Sequence, residues 1–332
     1  MSHIARICLL IPVVLPLAPL DAASFTFVTF SYPGSTSTTL AEINNTGEIV
    51  GSFNTATAFG QGFIRNADGS SVPIMLPFPS TDSPASGINS AGVVVGAFFN
   101  PGPFSAEGYL RNTAGMYSII ADPINPNNSG GSAINDGGLI VGGYGDPMNP
   151  AFSHGFLRDT AGNFTTIDDP NMATNSNGNR GTQPSGINNL GQIVGSYTDA
   201  AGFHGFIRSP TGVFTTIDDP NANPGTTSVN GINNLGMIVG TFTDSSGFHS
   251  FIRSADGSMY TTIDYPSGFV TNARGINDNG EIVGSYITSL TAGQMLGFIA
   301  TPESSTVPEP ASFALFVAGL AGIACFHRRQ RN

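Results

Sequence analysis

The sequence predicts an all-β protein: a six-bladed β-propeller of roughly 45-residue four-stranded repeats, closed by the N-terminal strand and followed by a C-terminal transmembrane helix. Three observations predict it. An Ile-Asn pair recurs at Ile43, Ile88, Ile134, Ile187, Ile232 and Ile276, with spacings of 45, 46, 53, 45 and 44 residues. Every block between these points reads as a short strand, with no helix-period pattern. The last repeat also lacks a final strand, and a matching segment stands at the start of the chain.

Within a repeat, the first block is typified by Gly186 to Tyr197 and returns from Gly231 and from Gly275. It holds an Asn-x-x-Gly turn in all six copies, with Asn at the first position and Gly at the fourth, as a tight type I connection requires. The second block is Gly-aromatic-aliphatic-Arg, as in Gly205-Phe206-Ile207-Arg208, and the sixth copy ends in Ala300 instead of Arg. The third block is Phe-Thr-Thr-Ile-Asp-Asp-Pro at Phe164 and Phe214, and a variant starts at Tyr260. Ile, Val, Phe, Tyr and Thr between Gly, Asn and Pro are strand chemistry. Nothing of the third block follows Ala300, while Phe27 to Pro33 matches Tyr260 to Pro266 in pattern. The first mature strand is thus expected to complete the last sheet and remove an exposed edge. An open β-solenoid would not need that displaced strand.

Composition excludes several classes. The chain has 332 residues, 10% of them charged, and a formal net charge of −11 with no Lys. An acidic, Lys-free chain does not suit nucleic acid, whose phosphates demand dense basic side chains. Both cysteines, Cys8 and Cys325, lie in the end segments, so the processed chain offers no disulfide or thiolate chemistry.

The ends are targeting segments. Residues 1–23 read as a signal peptide, with Arg6 before an apolar stretch and small residues Ala22 and Ala23 at its end. Residues 24–303 are the repeat domain, and 304–332 a tail with an apolar helix over 311–326. In that tail Pro308, Glu309 and Pro310 precede the helix, and Arg328, Arg329 and Arg331 follow it. This order resembles the PEP-CTERM sorting signal. The resemblance implies that these six residues are recognised during sorting, and that an exosortase-type protease is the processing partner. It also implies secretion across the inner membrane of a Gram-negative bacterium to the cell surface, with the helix as a transient or lasting anchor. The repeats, with His154-Gly155-Phe156 and His204-Gly205-Phe206, are similar to the HAF repeat of bacterial extracellular proteins, which implies no defined chemistry.

Candidate ligand residues lie at strand ends. The variable segments 100–107, 146–153, 171–185 and 287–296 fall on one face, where a regular scaffold usually carries its binding function. Asp168, Asp169, Asp218, Asp219 and Asp264, with Asp122, lie on that face and are candidate Ca²⁺ ligands, against ordinary Asp-Pro turn chemistry. His154, His204 and His249 are expected as strand-edge packing residues, the alternative being a transition-metal site. Arg65, Arg111, Arg158, Arg208 and Arg253 end the third strands; they are expected to pair with acids or lie along aromatic faces, with a ring of anion-binding Arg as the alternative. Asn44, Asn89, Asn135, Asn188, Asn233 and Asn277 read as turn formers.

Metalloprotease, phosphate-loop and nucleophile-elbow motifs are absent. The expectation is therefore a non-enzymatic, surface-sorted protein with no catalytic residue and no cofactor beyond Ca²⁺, binding or structuring exopolysaccharide or another envelope component. The alternative is a propeller enzyme, a glycoside hydrolase or lyase acting on extracellular glycan, marked by paired carboxylates in a deep pocket.

Overall fold

The structure is a computed structural model that describes residues 24–77, 79–101, 106–289 and 293–303. The signal peptide at 1–23, the apolar helix over 311–326 and the sorting residues Pro308, Glu309, Pro310, Arg328, Arg329 and Arg331 lie outside the described residues. Among the described residues, no helix is long and apolar enough to cross a membrane.

The fold is all-β, built of repeating four-stranded antiparallel sheets. Strand β1 (Phe25–Phe30) precedes the first sheet, which comprises β2 (Ser37–Ile43), β3 (Ile49–Asn54), β4 (Gln61–Arg65) and β5 (Ser71–Pro73). The second comprises β6 (Ala85–Ile88), β7 (Val94–Phe99), β8 (Ala106–Arg111) and β9 (Tyr117–Ile120). The third comprises β10 (Ser129–Ile134), β11 (Ile140–Gly145), β12 (Phe152–Arg158) and β13 (Phe164–Ile167). The fourth comprises β14 (Arg180–Ile187), β15 (Ile193–Thr198), β16 (Phe203–Arg208) and β17 (Phe214–Ile217). The fifth comprises β18 (Ser228–Ile232), β19 (Ile238–Thr243), β20 (Phe248–Arg253) and β21 (Tyr260–Thr262). The last comprises β22 (Val270–Ile276), β23 (Ile282–Ile287) and β24 (Leu296–Pro302), and its fourth strand is β1, hydrogen-bonded to β24. The N-terminal segment therefore completes the last sheet, as its sequence pattern predicts. Residues Phe25–Thr301 form one compact unit. Beyond that unit, the Glu303 N–H donates to the Ser24 carbonyl at 2.8 Å.

The repeat is explained by one packing device. The second strand of every sheet carries a glycine opposite a third-strand aromatic: Gly51 faces Phe63, Gly96 faces Tyr109 and Gly142 faces Phe156. The same pairing joins Gly195 to Phe206, Gly240 to Phe251 and Gly284 to Phe298. All six aromatic side chains are fully buried. At Gly142 the close approach is explicit: a Cβ there would lie 2.0 Å from the Gly130 carbonyl and 2.5 Å from the Phe156 ring. The glycine leaves room for the first strand to fold close and for the ring to lie over the backbone. Both features of the repeat, the Gly and the Gly-aromatic block, serve this contact.

Each first strand has a β-bulge two residues before its Ile-Asn pair. Register shifts occur between Leu40 and Glu42, Ala85 and Gly87, and Gly131 and Ala133. They recur between Pro184 and Gly186, Val229 and Gly231, and Ala273 and Gly275. A bulge leaves one residue unpaired and re-aims its side chain.

The Asn residues do more than form turns. Asn188 Oδ1 accepts from the N–H groups of Leu190 and Gln192, which fixes its own turn. Its Nδ2 donates to the Asn233 carbonyl of the next sheet at 3.1 Å. The same link runs from Asn44 to Asn89, Asn89 to Asn135, Asn135 to Asn188 and Asn233 to Asn277. A sixth runs from Asn277 back to the Asn44 carbonyl at 3.3 Å. Asn188→Ala removes the acceptor and the donor from a buried position. It is expected to cost about 2–3 kcal/mol in chemical denaturation, since buried partners are left unsatisfied. A loss below about 0.5 kcal/mol, the ordinary range for a surface change, would contradict the clasp.

Candidate functional site

Three consecutive sheets carry the same cluster of ionisable groups. On the third-strand position that pairs with the second-strand aromatic, sheets three, four and five place His154, His204 and His249. The other three sheets place Gln61, Glu107 and Leu296 there. The His residues are thus a departure from the repeat. Each ring rests on its cross-strand neighbour: His154 on Tyr144 at 5.2 Å, His204 on Tyr197 at 5.3 Å and His249 on Phe242 at 5.3 Å.

Each ring is held by carboxylates at both nitrogens. His154 Nδ1 lies 3.0 and 2.9 Å from the two oxygens of Asp168, and its Nε2 lies 3.3 Å from Asp146. His204 Nδ1 lies 3.0 Å from both oxygens of Asp218, and Nε2 lies 3.2 Å from Asp199. His249 Nδ1 lies 2.6 Å from Asp264, and Nε2 lies 3.2 Å from Asp244 and 2.9 Å from the Ser246 hydroxyl. A carboxylate at each ring nitrogen favours the charged imidazolium, and in two of the rings this outweighs burial. Burial alone would lower the His154 pKa, but the hydrogen bonds and charges of Asp168 and Asp146 outweigh it and hold the ring above its ordinary value. His249 is raised in the same way against burial, by Asp264 and Asp244. Asp244 is lowered to about 2, first by the Ser246 hydroxyl and N–H, then by the Gly247 N–H and the charge of His249.

Chemically this is an acid beside a base. The Nδ1 side is fixed by the Asp just beyond the end of the fourth strand, which orients the ring. The Nε2 side carries the longer contact, where a substrate oxygen can take the place of the carboxylate. The Nε2 proton can then pass to that oxygen, while the displaced Asp accepts another. The His rings pack on their cross-strand neighbours as expected, but each is also paired with Asp as in a catalytic dyad, which corrects the expectation of a non-enzymatic chain. The reading of the chain as a non-enzymatic binding or structural component falls with it.

The other candidates separate. Asp168, Asp218 and Asp264 each take a His ring nitrogen. Asp169 and Asp219 turn back to their own chain, accepting from the N–H groups of Asn171 and Asn221, and burial raises both pKa values. Asp122 does the same with the Ile124 N–H. Among the described residues, no group of three or more His, Cys, Asp or Glu is arranged to hold a metal ion. The third-strand Arg side chains lie over aromatic rings: Arg65 over Phe30, Arg158 over Phe164, Arg208 over Phe214 and Arg253 over Tyr260, at 5.6 to 5.9 Å. Sequence reasoning missed Asp146, Asp199 and Asp244. A signal was present, since Asp199 and Asp244 each stand five residues before their His.

A cavity of about 750 Å³ is lined by residues from the first strand of all six sheets, among them Thr39, Ala85, Gly131, Gln183, Ser228 and Asn272. Tyr144, which carries the His154 ring, lines it as well, as does Ser153. Among the described residues, Glu42 is the one carboxyl residue in its lining. Two catalytic carboxylates facing each other, as many glycosidases use, are therefore not what this cavity supplies. Burial raises the Glu42 pKa from 4.5 to about 8, against the lowering hydrogen bonds of the Ile43 and Ile276 backbone. Its folded-state value lies above its unfolded value, so its contribution is complete below about pH 4.5 and is lost as pH rises through about 8. Glu42→Gln is expected to flatten the fall in thermal stability over this window, by roughly 3 kcal/mol at pH 7. An unchanged slope would contradict the assignment.

A comparison with curated proteins finds no match. Among solved structures, the chain is similar to virginiamycin B lyase from Staphylococcus aureus at 15% identity and a TM-score of 0.49, over 83% of this chain and 99% of that one. It is similar to a puromycin hydrolase mutant complexed with PGG at 12% identity and a TM-score of 0.47, over 81% of this chain and 54% of that one. AofleA from Arthrobotrys oligospora aligns at 13% identity and a TM-score of 0.49, over 83% of this chain and 86% of that one. The PEP-CTERM protein-sorting motif matches residues 306–329. The match supports sorting to the cell surface or exterior and implies processing by an exosortase-type system.

Proposed function

We propose that the chain is a secreted enzyme that cleaves an extracellular glycan, by hydrolysis or by elimination, on a closed six-bladed β-propeller. The observation that carries the enzymatic reading is the repeated His ring between two Asp carboxylates, with His154 and His249 held above their ordinary pKa. In hydrolysis, the Nε2 proton passes to the leaving glycosidic oxygen as its bond to carbon breaks, and the neighbouring Asp takes a proton from the attacking water. In elimination, the Asp takes a proton from the sugar carbon, the carbon–oxygen bond breaks to leave a double bond, and the leaving oxygen takes the Nε2 proton.

Closure of the ring is supported by three features. β1 supplies the last sheet's fourth strand. The Asn clasp runs through six sheets and returns from Asn277 to Asn44. All six first strands line one cavity. The 304–332 tail is the sorting element of this reading: Pro308, Glu309 and Pro310 are read by the protease, and Arg328, Arg329 and Arg331 hold the 311–326 helix at the cytoplasmic side until processing. A Gram-negative host and HAF-type repeats fit the same picture.

The test uses the full chain with extracellular polysaccharide from the source organism. New reducing ends mark any cleavage, and ultraviolet absorbance of an unsaturated sugar marks elimination. Release that grows with time and with protein concentration is expected. Saturable binding without release of ends would overturn the enzymatic reading.

A further inference from the structure

We propose that the cavity lined by the six first strands is a binding site for a carboxylate-bearing sugar unit, and that Arg274 recognises its carboxylate. This deepens the reading of the chain as a glycan-cleaving enzyme by naming the substrate class. It rests on that reading for the cleavage step and not for binding.

The bulges place six side chains in the cavity. The residue that each bulge leaves unpaired is Ala41, Ser86, Ser132, Ser185, Asn230 and Arg274 in the six sheets, and all six line the cavity. Five are small or neutral. The sixth is an Arg, the only basic residue in the lining among the described residues. Arg274 is open to the cavity's solvent, yet protein crowds it, and that desolvation lowers its pKa. Among the described residues it has no ion-pair partner. An uncompensated charge among protein atoms is costly, and a ligand that supplies the counter-charge relieves the cost.

The cavity's other ionisable charge does not neutralise it. Glu42 also breaks the repeat, since the five equivalent positions are Gly87, Ala133, Gly186, Gly231 and Gly275. Burial keeps its carboxyl protonated at neutral pH. The cavity therefore carries one net positive charge inside a chain whose formal charge is −11. One guanidinium fork matches one carboxylate in two parallel hydrogen bonds. Ser86, Ser132, Ser185, Gln183 and Asn272 around it suit a hydroxyl-rich ligand, and about 750 Å³ falls in the size range of small-ligand sites. An acidic surface would repel a polyanion at long range, but screening confines that repulsion to about a Debye length of 8–10 Å.

The test is calorimetric binding to the full chain with three probes: a uronic-acid tetrasaccharide, a neutral glucose tetrasaccharide and inorganic phosphate. The uronate is expected to bind about tenfold or more tightly than the neutral sugar, and Arg274→Gln to abolish that preference. Arg274→Lys, which keeps the charge, is expected to retain part of it. Equal affinity for the two sugars, phosphate binding without uronate binding, or full uronate affinity in both Arg274 variants would each overturn the proposal. Should Arg274→Gln fail to fold, the comparison of sugars on the parent chain and the Lys variant still decides. Uronate binding without release of sugar ends would overturn the enzymatic reading and leave this site standing. Cleavage of a neutral glycan with no uronate binding would do the reverse.

Discussion

Replacing His154, His204 and His249 together by Gln is expected to lower glycan cleavage by about 10²–10⁴-fold, the range a positioned acid–base group contributes. Gln keeps a polar side chain at each position, and the rings are only partly buried, so the fold is expected to survive; an unchanged far-ultraviolet circular dichroism spectrum checks this. The single variants are not expected to be equal. Tyr144, which stacks on His154, lines the cavity, whereas Tyr197 and Phe242, which carry the other two rings, are not among its lining residues. Asp146 also sits in an inserted loop, eight residues before its His rather than five. His154→Gln is therefore expected to account for most of the loss. A triple variant that cleaves at the parent rate would remove the His clusters from the mechanism.

Deleting residues 24–33 is the second large effect. It removes β1, and with it the rings that seal the last sheet to the first. Phe27 packs against Phe298 at 5.7 Å, Phe30 against Phe63 at 5.7 Å, and Tyr32 stacks on Phe53 at 3.8 Å. Tyr32 also donates its N–H to Thr38 at 2.9 Å. Three half-buried aromatics at up to about 1.5–3 kcal/mol each, with their ring pairs, give on the order of 4–6 kcal/mol. For a domain of this size that corresponds to a fall in Tm of about 10–20 °C. The freed edge of β24 is expected to pair with other chains, so a rise in mass by light scattering should accompany the loss. A Tm within about 2 °C of the parent would contradict the role of β1.

The strand and the His clusters differ in how far the sequence foretold them. The sheet-completing strand was legible because Phe27 to Pro33 repeats the pattern of Tyr260 to Pro266, and a missing unit in a regular array is visible without coordinates. The Asn-x-x-Gly turns were legible for the same reason, since the fourth-position Gly adopts positive φ, 76° at Gly191. The inter-sheet half of the Asn role was not, because a side-chain donor reaching 45 residues ahead leaves no local signature. The site was harder still. Repetition made His204 and Asp218 look like scaffold, and their hydrogen bond spans 14 residues and two strands. The second carboxylate of each cluster comes from a loop whose length differs between sheets, so periodicity hid it. Glu42 and Arg274 each break the repeat, but their place in the cavity lining comes from the folded sheets, where the bulge leaves Arg274 unpaired.

The measurement that tests the central claim most directly is the rate of sugar-end release by the full chain as a function of pH. The acid is the imidazolium, and its pKa is raised in His154 and His249. The rate governed by that group is therefore expected to hold through about pH 6.5, the ordinary His value, and to fall as pH rises through the higher folded-state value. In the triple Gln variant this fall should disappear along with most of the activity. A rate that climbs through the same window, or no release at any pH, would contradict the account.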